Sequence, residues 1–319
     1  MNKTLEKILV CPGCHAPLRS NGAFVHCTGG EDCPAQPREW PILHDVPILL
    51  DESRSVFTIR QALASPPSLP ERKVWRRLLS RIWHTRPGLS RNVAAQRNFH
   101  HLAERLAHLP QALVLVVGCG DEGDGIHVLL EKPNVTAMGL DIRITASVSV
   151  LADAQQLPFA DGSFDAVVLQ GVLEHIFDPF QVEKEVFRTL KPQGLVYSEL
   201  PFLQPNHGGA GDVTRFTWTG HRRFWRRFEQ LDAGACCGPG MALAHMLQQF
   251  ARALLPWRAW RVVSDWATDW LFWWLKYLDG RLVRHPAGID GASAFYFLGR
   301  KSDRAISDLA LIDHYRGAQ

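Results

Sequence analysis

Apolar residues recur along this chain with two different spacings. Between residues 112 and 202 they form short continuous runs of strand length, "ALVLVV" (112–117), "VTAMGLD" (135–141), "FDAVVLQ" (164–170) and "LVYSE" (195–199), and "AFYFLGRK" (294–301) repeats the type near the end. Such runs, bounded by Gly, Pro and Asp, predict buried strands. "GDGIHVLLEK" after the first run reads as the start of a helix, and Pro192 with Gly194 supplies a turn into the fifth strand. Elsewhere the spacing is helical. Trp75, Leu78, Leu79, Ile82 and Trp83 follow i, i+3, i+4, i+7, i+8, with Arg72, Lys73, Arg76, Arg77 and Arg81 around them, and Trp266, Trp270, Trp273 and Tyr277 share a second stripe. Strands that alternate with helical segments predict an α/β protein built on a Rossmann-like, doubly wound sheet of seven strands.

Composition adds limits. With 319 residues, 46% hydrophobic and 21% charged, the chain can bury a full core as one large domain plus a smaller one. A net charge of +3 demands neither nucleic acid nor anionic lipid. "MNKTLEKILVCPGC" lacks the apolar stretch and cleavage site of a secretory signal, and no apolar run reaches membrane-spanning length, so a cytoplasmic location is expected. Seven cysteines in that compartment read as metal ligands or free thiols.

Four of them, Cys11, Cys14, Cys27 and Cys33, fall in the first 33 residues. Cys11 and Cys14 have the knuckle spacing that aims two thiolates at one tetrahedral ion, and the later pair completes a structural zinc site with no open position for chemistry. The five residues between Cys27 and Cys33 exceed the usual two, which leaves His26 or His15 as alternative ligands. "LEKILVCPGCHAPL" with "WPILHDVPILL" resembles, over residues 4–50, the small zinc-ribbon proteins that activate methyltransferases in translation. The predicted organisation is a zinc ribbon (1–52), a linker with "SPPSLP" and a basic amphipathic helix (53–92), a catalytic domain (93–303) with a Trp-rich helical insertion at about 241–280, and a tail (304–319).

"GCGDEG" after the first strand places Gly118, Gly120 and Gly123 where a sharp turn lets the backbone approach a nucleotide-like ligand. Asp141 ends the next strand about twenty residues later, positioned to accept hydrogen bonds from two ribose hydroxyls. NAD and S-adenosylmethionine both carry that ribose. The segment "LADAQQLPFADGSFDAVVLQGVLEHIFDPFQVEKEVFRTLKPQGLVYSELPF" (151–202) resembles the class I methyltransferases. That resemblance implies S-adenosylmethionine as cofactor, held by Gly118, Cys119, Gly120, Asp141, Ile142, Asp153, Ala154 and Gln170, with Asp153 and the Ala154 amide reading the adenine. Where the family has an acidic residue two before the first glycine, this chain has Val116; Asp121 and Glu122, on the same loop, are candidates to replace it.

Methyl transfer needs an aligned nucleophile and, for a hydroxyl, a base. Glu174 and His175 follow the fourth strand, while "ELPFLQPNHGGAGDVTRFT" brings His207, Asp212 and Arg215 after the fifth. His207 or His175 is the candidate base, Asp212 its orienting group, and Glu174 and Arg215 candidate acceptor contacts. "PFLQPNH" with the spaced Asp212, Arg215 and Thr217 resembles methyltransferases of bacterial cell-surface polysaccharide and glycolipid assembly, which implies a saccharide or lipid-linked saccharide hydroxyl as acceptor. The basic helix at 71–86 and the six tryptophans between 257 and 274 are candidate contacts with the inner face of a membrane, or packing surfaces for the core or an oligomer. "RFTWTGHRRFWRRF" (215–228) mixes arginine with aromatic residues and raises contact with lipid phosphate, a nucleotide-sugar or RNA. Two other readings stay open: a methyltransferase acting on RNA or a translation protein, and a non-catalytic binding protein.

Overall fold

A computed structural model describes residues 3–64, 86–120 and 123–318. The proline-rich linker, nearly all of the basic helix at 71–86, and Asp121 and Glu122 lie outside them. The small N-terminal unit has a helix α1 (Lys3–Ile8) and four antiparallel strands, β1 (Leu18–Ser20), β2 (Phe24–Cys27), β3 (Glu39–Leu43) and β4 (Val46–Pro47). A short helix α2 (Ile59–Ala64) follows, then α3 (Ala95–Leu106).

The large sheet is formed by β5 (Ala112–Val117), β6 (Val135–Asp141), β7 (Val150–Leu151), β8 (Phe164–Gln170), β9 (Leu190–Pro201), β10 (Phe228–Cys237) and β11 (Ala294–Lys301), in the order β10-β11-β9-β8-β5-β6-β7. Neighbours from β7 to β9 are parallel, and β11 runs antiparallel to both β9 and β10. This is the seven-stranded, Rossmann-like class I methyltransferase architecture expected from the sequence. Its central strands bury both faces, which explains their unbroken apolar runs. Leu115, Val117, Val167 and Leu169 pack on one side with Val182 and Val186 of α5 (Pro179–Thr189). Val114, Val116, Ala166 and Val168 pack on the other with Phe99, Leu102 and Leu106 of α3. The chain reverses its direction of travel across the sheet between β5 and β8, the switch point where a crevice opens beyond the carboxyl ends of the strands. The helix after β5 is short, α4 (His127–Leu130).

The N-terminal unit is built into this sheet. Ile48 bridges Leu151 in parallel and the Leu49 N–H donates to Leu151 O at 2.8 Å, so residues 48–49 extend the sheet beyond β7. Leu5, Leu9, the fully buried Trp40 and Leu49 join the same apolar cluster as Leu115 and Val150.

Between β9 and β10 lies α6 (Trp218–Phe224). Its arginine-rich surroundings are tied within the chain: Arg222 donates to the carbonyls of Trp225 and Phe228, Arg226 to that of Ile306, and Arg227 pairs with Glu183. Between β10 and β11 the Trp-rich insertion folds as α7 (Pro239–Ala253), α8 (Arg258–Phe272), α9 (Leu275–Leu282) and α10 (Pro286–Asp290), and α11 (Asp308–Asp313) closes the chain. The buried Asp279 carboxylate of α9 accepts the Gly240 and Met241 N–H groups at 2.8 and 2.9 Å, capping α7. Three of the four members of the Trp266, Trp270, Trp273 and Tyr277 stripe are exposed and not packed in the core: Trp266, Trp270 and Tyr277 show 49%, 46% and 52% of their surface.

Candidate functional site

The first candidate region begins where β5 ends. Gly118 has φ +73°, and a Cβ there would lie 2.3 Å from Val172 Cγ2, so the turn accommodates only glycine. The Gly120 N–H donates to Asp141 Oδ2 at 2.9 Å and the Arg143 N–H to Oδ1 at 2.8 Å. Asp141, at the end of β6, thereby fixes the glycine loop while each carboxylate oxygen keeps acceptor capacity. Gly118, Asp141, Ile142, Asp153, Ala154, Gln170, Val172 and His175 line one cavity of about 460 Å³. Cys119 lines an adjoining cavity of about 250 Å³ with Gly139 and Ser147, which shares Val117, Gly118, Gly123 and Gln170 with the first, and its thiol contacts Ser147 O at 3.5 Å.

Two contributions to the first cavity come from an unexpected quarter. Phe57 is part of its wall, and Ser55 Oγ donates to Asp153 Oδ2, whose partner Oδ1 accepts the Gln155 N–H at 2.9 Å. Both Ser55 and Phe57 fall in the segment that the sequence assigns to a linker.

A second cavity of about 350 Å³ shares Gly123, Gln170 and Gly171 with the first and is also lined by Asn92, Glu174, Glu199, His207 and Met241. His207 sits between two carboxylates: Nδ1 lies 3.3 Å from Asp212 Oδ2 and Nε2 lies 3.6 Å from Glu174 Oε1. Asp212 also accepts the His207 N–H at 3.1 Å and forms a two-point ion pair with Arg215. Arg215 therefore braces Asp212. The Glu174 carboxylate, with the Asp212 charge adding, raises the His207 pKa above the usual histidine value against partial burial, while Arg215 helps hold Asp212 below its own. Glu174 is 1% exposed and its Oε2 has no hydrogen-bond partner among the described residues. His175 packs 5.0 Å from His207, ring to ring, with Nδ1 2.9 Å from Gly211 O, so it faces the first cavity with one nitrogen already engaged. Of the predicted pair, His207 alone lines the second cavity.

Sequence reasoning missed Glu199 and Asn92. Glu199, near the end of β9, accepts hydrogen bonds from Tyr197 Oη, from Asn92 Nδ2 at 2.8 Å and from Gln170 Nε2 at 2.9 Å. A carboxylate in an otherwise apolar fifth strand was the available signal. Burial pushes its carboxyl from about 4.5 up to about 7, against those three hydrogen bonds. The native state thus holds this proton more tightly than the unfolded chain does. Stability is expected to be fullest below about pH 4.5 as far as this group is concerned and to decline as pH climbs to about 7, by on the order of 3 kcal/mol. Denaturant titrations of wild type and Glu199→Gln at pH 5 and pH 8 check this: the slope should flatten in the variant.

The four N-terminal cysteines converge. Cys11 and Cys33 Sγ are 3.6 Å apart, Cys14 and Cys27 Sγ 3.4 Å, and all four lie within 4.8 Å of one another. These separations rule out a disulfide, whose sulfurs stand about 2.05 Å apart, and approach the edges of a tetrahedron with bonds of about 2.3 Å to zinc. The N–H groups of Gly13 and Gly29 point at Cys11 and Cys27 Sγ, donors that favour thiolate. Cys33 takes the fourth corner, and His26 instead lies 3.9 Å from Glu39.

Residues 115–198 match a protein family described as Methyltransferase domain. A cycloartenol-C-24-methyltransferase of Oryza sativa subsp. japonica is 33% identical over 124 residues, covering 34% of this chain and 36% of that protein. A demethylmenaquinone methyltransferase of Lactobacillus johnsonii is 33% identical over 101 residues, covering 32% and 39%. Among solved structures, the phosphoethanolamine N-methyltransferase 2 of Haemonchus contortus in complex with S-adenosyl-L-methionine superposes with a TM-score of 0.42 at 13% identity, covering 73% of this chain and 61% of that one. The chain spans between about a quarter and a half of the curated relatives it matches. Residues 115–198 thus form a methyltransferase domain, carried on the class I S-adenosylmethionine-dependent methyltransferase sheet.

Proposed function

We propose that the protein transfers a methyl group from S-adenosylmethionine to a hydroxyl of a saccharide, glycolipid or comparable small molecule. The observation that carries this reading is the pair of cavities meeting at Gly123 and Gln170, one with the features of a nucleoside site and the other with a histidine set between carboxylates. In the first, Asp141 would accept both ribose hydroxyls, and Asp153 with the Ala154 amide would face the adenine. Gly118, whose backbone lines this cavity, would face the methionyl part. The carboxylate missing at Val116 has a counterpart in Gln170 Oε1, which has no hydrogen-bond partner among the described residues, with Glu199 behind it; together they suit the methionyl ammonium. The cofactor supplies an electrophilic methyl on a sulfonium.

In the second cavity Asp212 orients His207 with its Nδ1 proton toward the carboxylate, which leaves the Nε2 lone pair to take the proton of an acceptor hydroxyl. Glu174, its Oε2 unpartnered, positions that hydroxyl beside Nε2. At the N-terminus, Cys11, Cys14, Cys27 and Cys33 hold a structural zinc ion in this reading.

Isothermal titration tests the first requirement. S-adenosylmethionine should bind the wild-type chain, and Asp141→Asn should weaken it by about tenfold to a hundredfold, the worth of one or two hydrogen bonds to a charged group. No heat of binding to the wild-type protein would end the proposal.

A further inference from the structure

The insertion between β10 and β11 exposes far more apolar surface than a solvated helical hairpin needs. On α7 Phe250 shows 67%, and Leu254, just past its end, 57%; on α8 the exposed residues include Trp266, Trp270 and Leu271, the last at 62%. Trp257, just before α8, shows 66%. These helices pack against one another, and this much apolar surface left exposed on such a pair marks an interaction site.

Charge separates the possible occupants. Residues 239–285 hold six Arg or Lys and three Asp. All three acids are turned inward: Asp265 pairs with Arg252, Asp269 accepts from Gln248 at 2.8 Å, and Asp279 caps α7. The fully exposed charges of this segment are Arg258, Arg261, Arg281 and Arg284, every one basic. Tryptophan among exposed arginines is the pattern of an amphipathic element lying in the headgroup region of an anionic bilayer, with indole at the interface and guanidinium on phosphate. No helix among the described residues is long and apolar enough to cross a membrane, which leaves surface docking as the mode.

Arg91 links this surface to the acceptor cavity. Tyr277 belongs to the surface, and the Arg91 guanidinium over the Tyr277 ring, 4.9 Å from its centre, lines that cavity; Met241 of α7 lines it as well. We propose that the outer face of α7–α9 docks on a bilayer carrying anionic headgroups. Where the methyl-transfer reading above holds, the docked chain presents its acceptor cavity to a lipid-borne hydroxyl.

The test is co-sedimentation of the full chain with vesicles of phosphatidylcholine alone or mixed with phosphatidylglycerol. Binding to the mixed vesicles should exceed binding to the neutral ones by about tenfold at low salt and fall as salt screens the arginines. Trp266→Ser with Trp270→Ser should reduce the bound fraction by at least about tenfold. Both tryptophans are half exposed, and an unchanged thermal midpoint confirms that the variant folds. Wild-type protein left in the supernatant, or variant binding equal to wild type, overturns the proposal. So does a stable dimer in sedimentation equilibrium that the same substitutions dissociate, since a second copy would then cover the face. Vesicle binding needs neither cofactor nor acceptor, so its failure and that of the methyl-transfer reading are separately visible.

Discussion

Replacing His207 with glutamine is expected to lower turnover by about 10²- to 10⁴-fold while leaving S-adenosylmethionine affinity unchanged. The residue lines the second cavity and is absent from the lining of the first, so in the proposed reaction its loss removes a proton acceptor and leaves the cofactor site intact. The pH profile sharpens the test. Only the neutral imidazole takes a proton, so the wild-type rate should fall as pH drops through the His207 pKa. That pKa lies above the usual histidine value because the Glu174 carboxylate stabilises the imidazolium. The variant should lose this limb. Glu174→Gln should keep the limb but move it to lower pH, since the main cause of the upward shift is then gone. A His207→Gln enzyme with wild-type kcat would remove histidine from the mechanism, and His175→Gln would then be the next variant to assay.

Stripping metal from the cysteine cluster should produce the largest loss of stability. Purified protein is expected to carry a single zinc equivalent by atomic absorption, and chelation or Cys14→Ser should destabilise the chain by on the order of 5 kcal/mol or more, because structural zinc contributes folding free energy directly. Cys14 is the better target of the first pair. It is partly exposed, whereas Cys11 is fully buried, so serine at 11 would also place a hydroxyl in the apolar cluster. The structure adds a less obvious consequence. Residues 48–49 hydrogen-bond to the edge of the large sheet, and Ser55 and Phe57 follow directly into the first cavity. Loosening the ribbon should therefore weaken S-adenosylmethionine binding by several-fold, readable by the same titration. Zinc-free wild-type protein whose thermal midpoint ignores chelator would exclude the structural role.

Much of the site was legible from residue order because it sits where strands end. Gly118, Asp141 and Gln170 each close an apolar run, and parallel strands bring their carboxyl ends to one edge, so sequence position nearly specifies spatial position. Glu199 escaped notice because its meaning depends on register: Gln170 stands opposite it in the β8–β9 pair, and Asn92 reaches it from a segment more than a hundred residues earlier. The choice between His175 and His207 had the same character. Both histidines follow strand ends, and only the loop path that engages His175 with Gly211 O and sets His207 between Asp212 and Glu174 tells them apart.

Sequence alone determined the α/β class, the glycine turn, the strand-ending Asp141 and the grouping of four cysteines, since each follows from local spacing and from the burial that continuous apolar runs demand. Tertiary structure decided the rest. It brought Cys33 together with Cys11, Cys14 and Cys27, made the N-terminal unit an edge of the large sheet, and turned three of the four stripe residues outward while the aspartates of those helices turned in. Those outcomes depend on which groups meet across long sequence separations, and helical periodicity states that a face is apolar without stating what covers it.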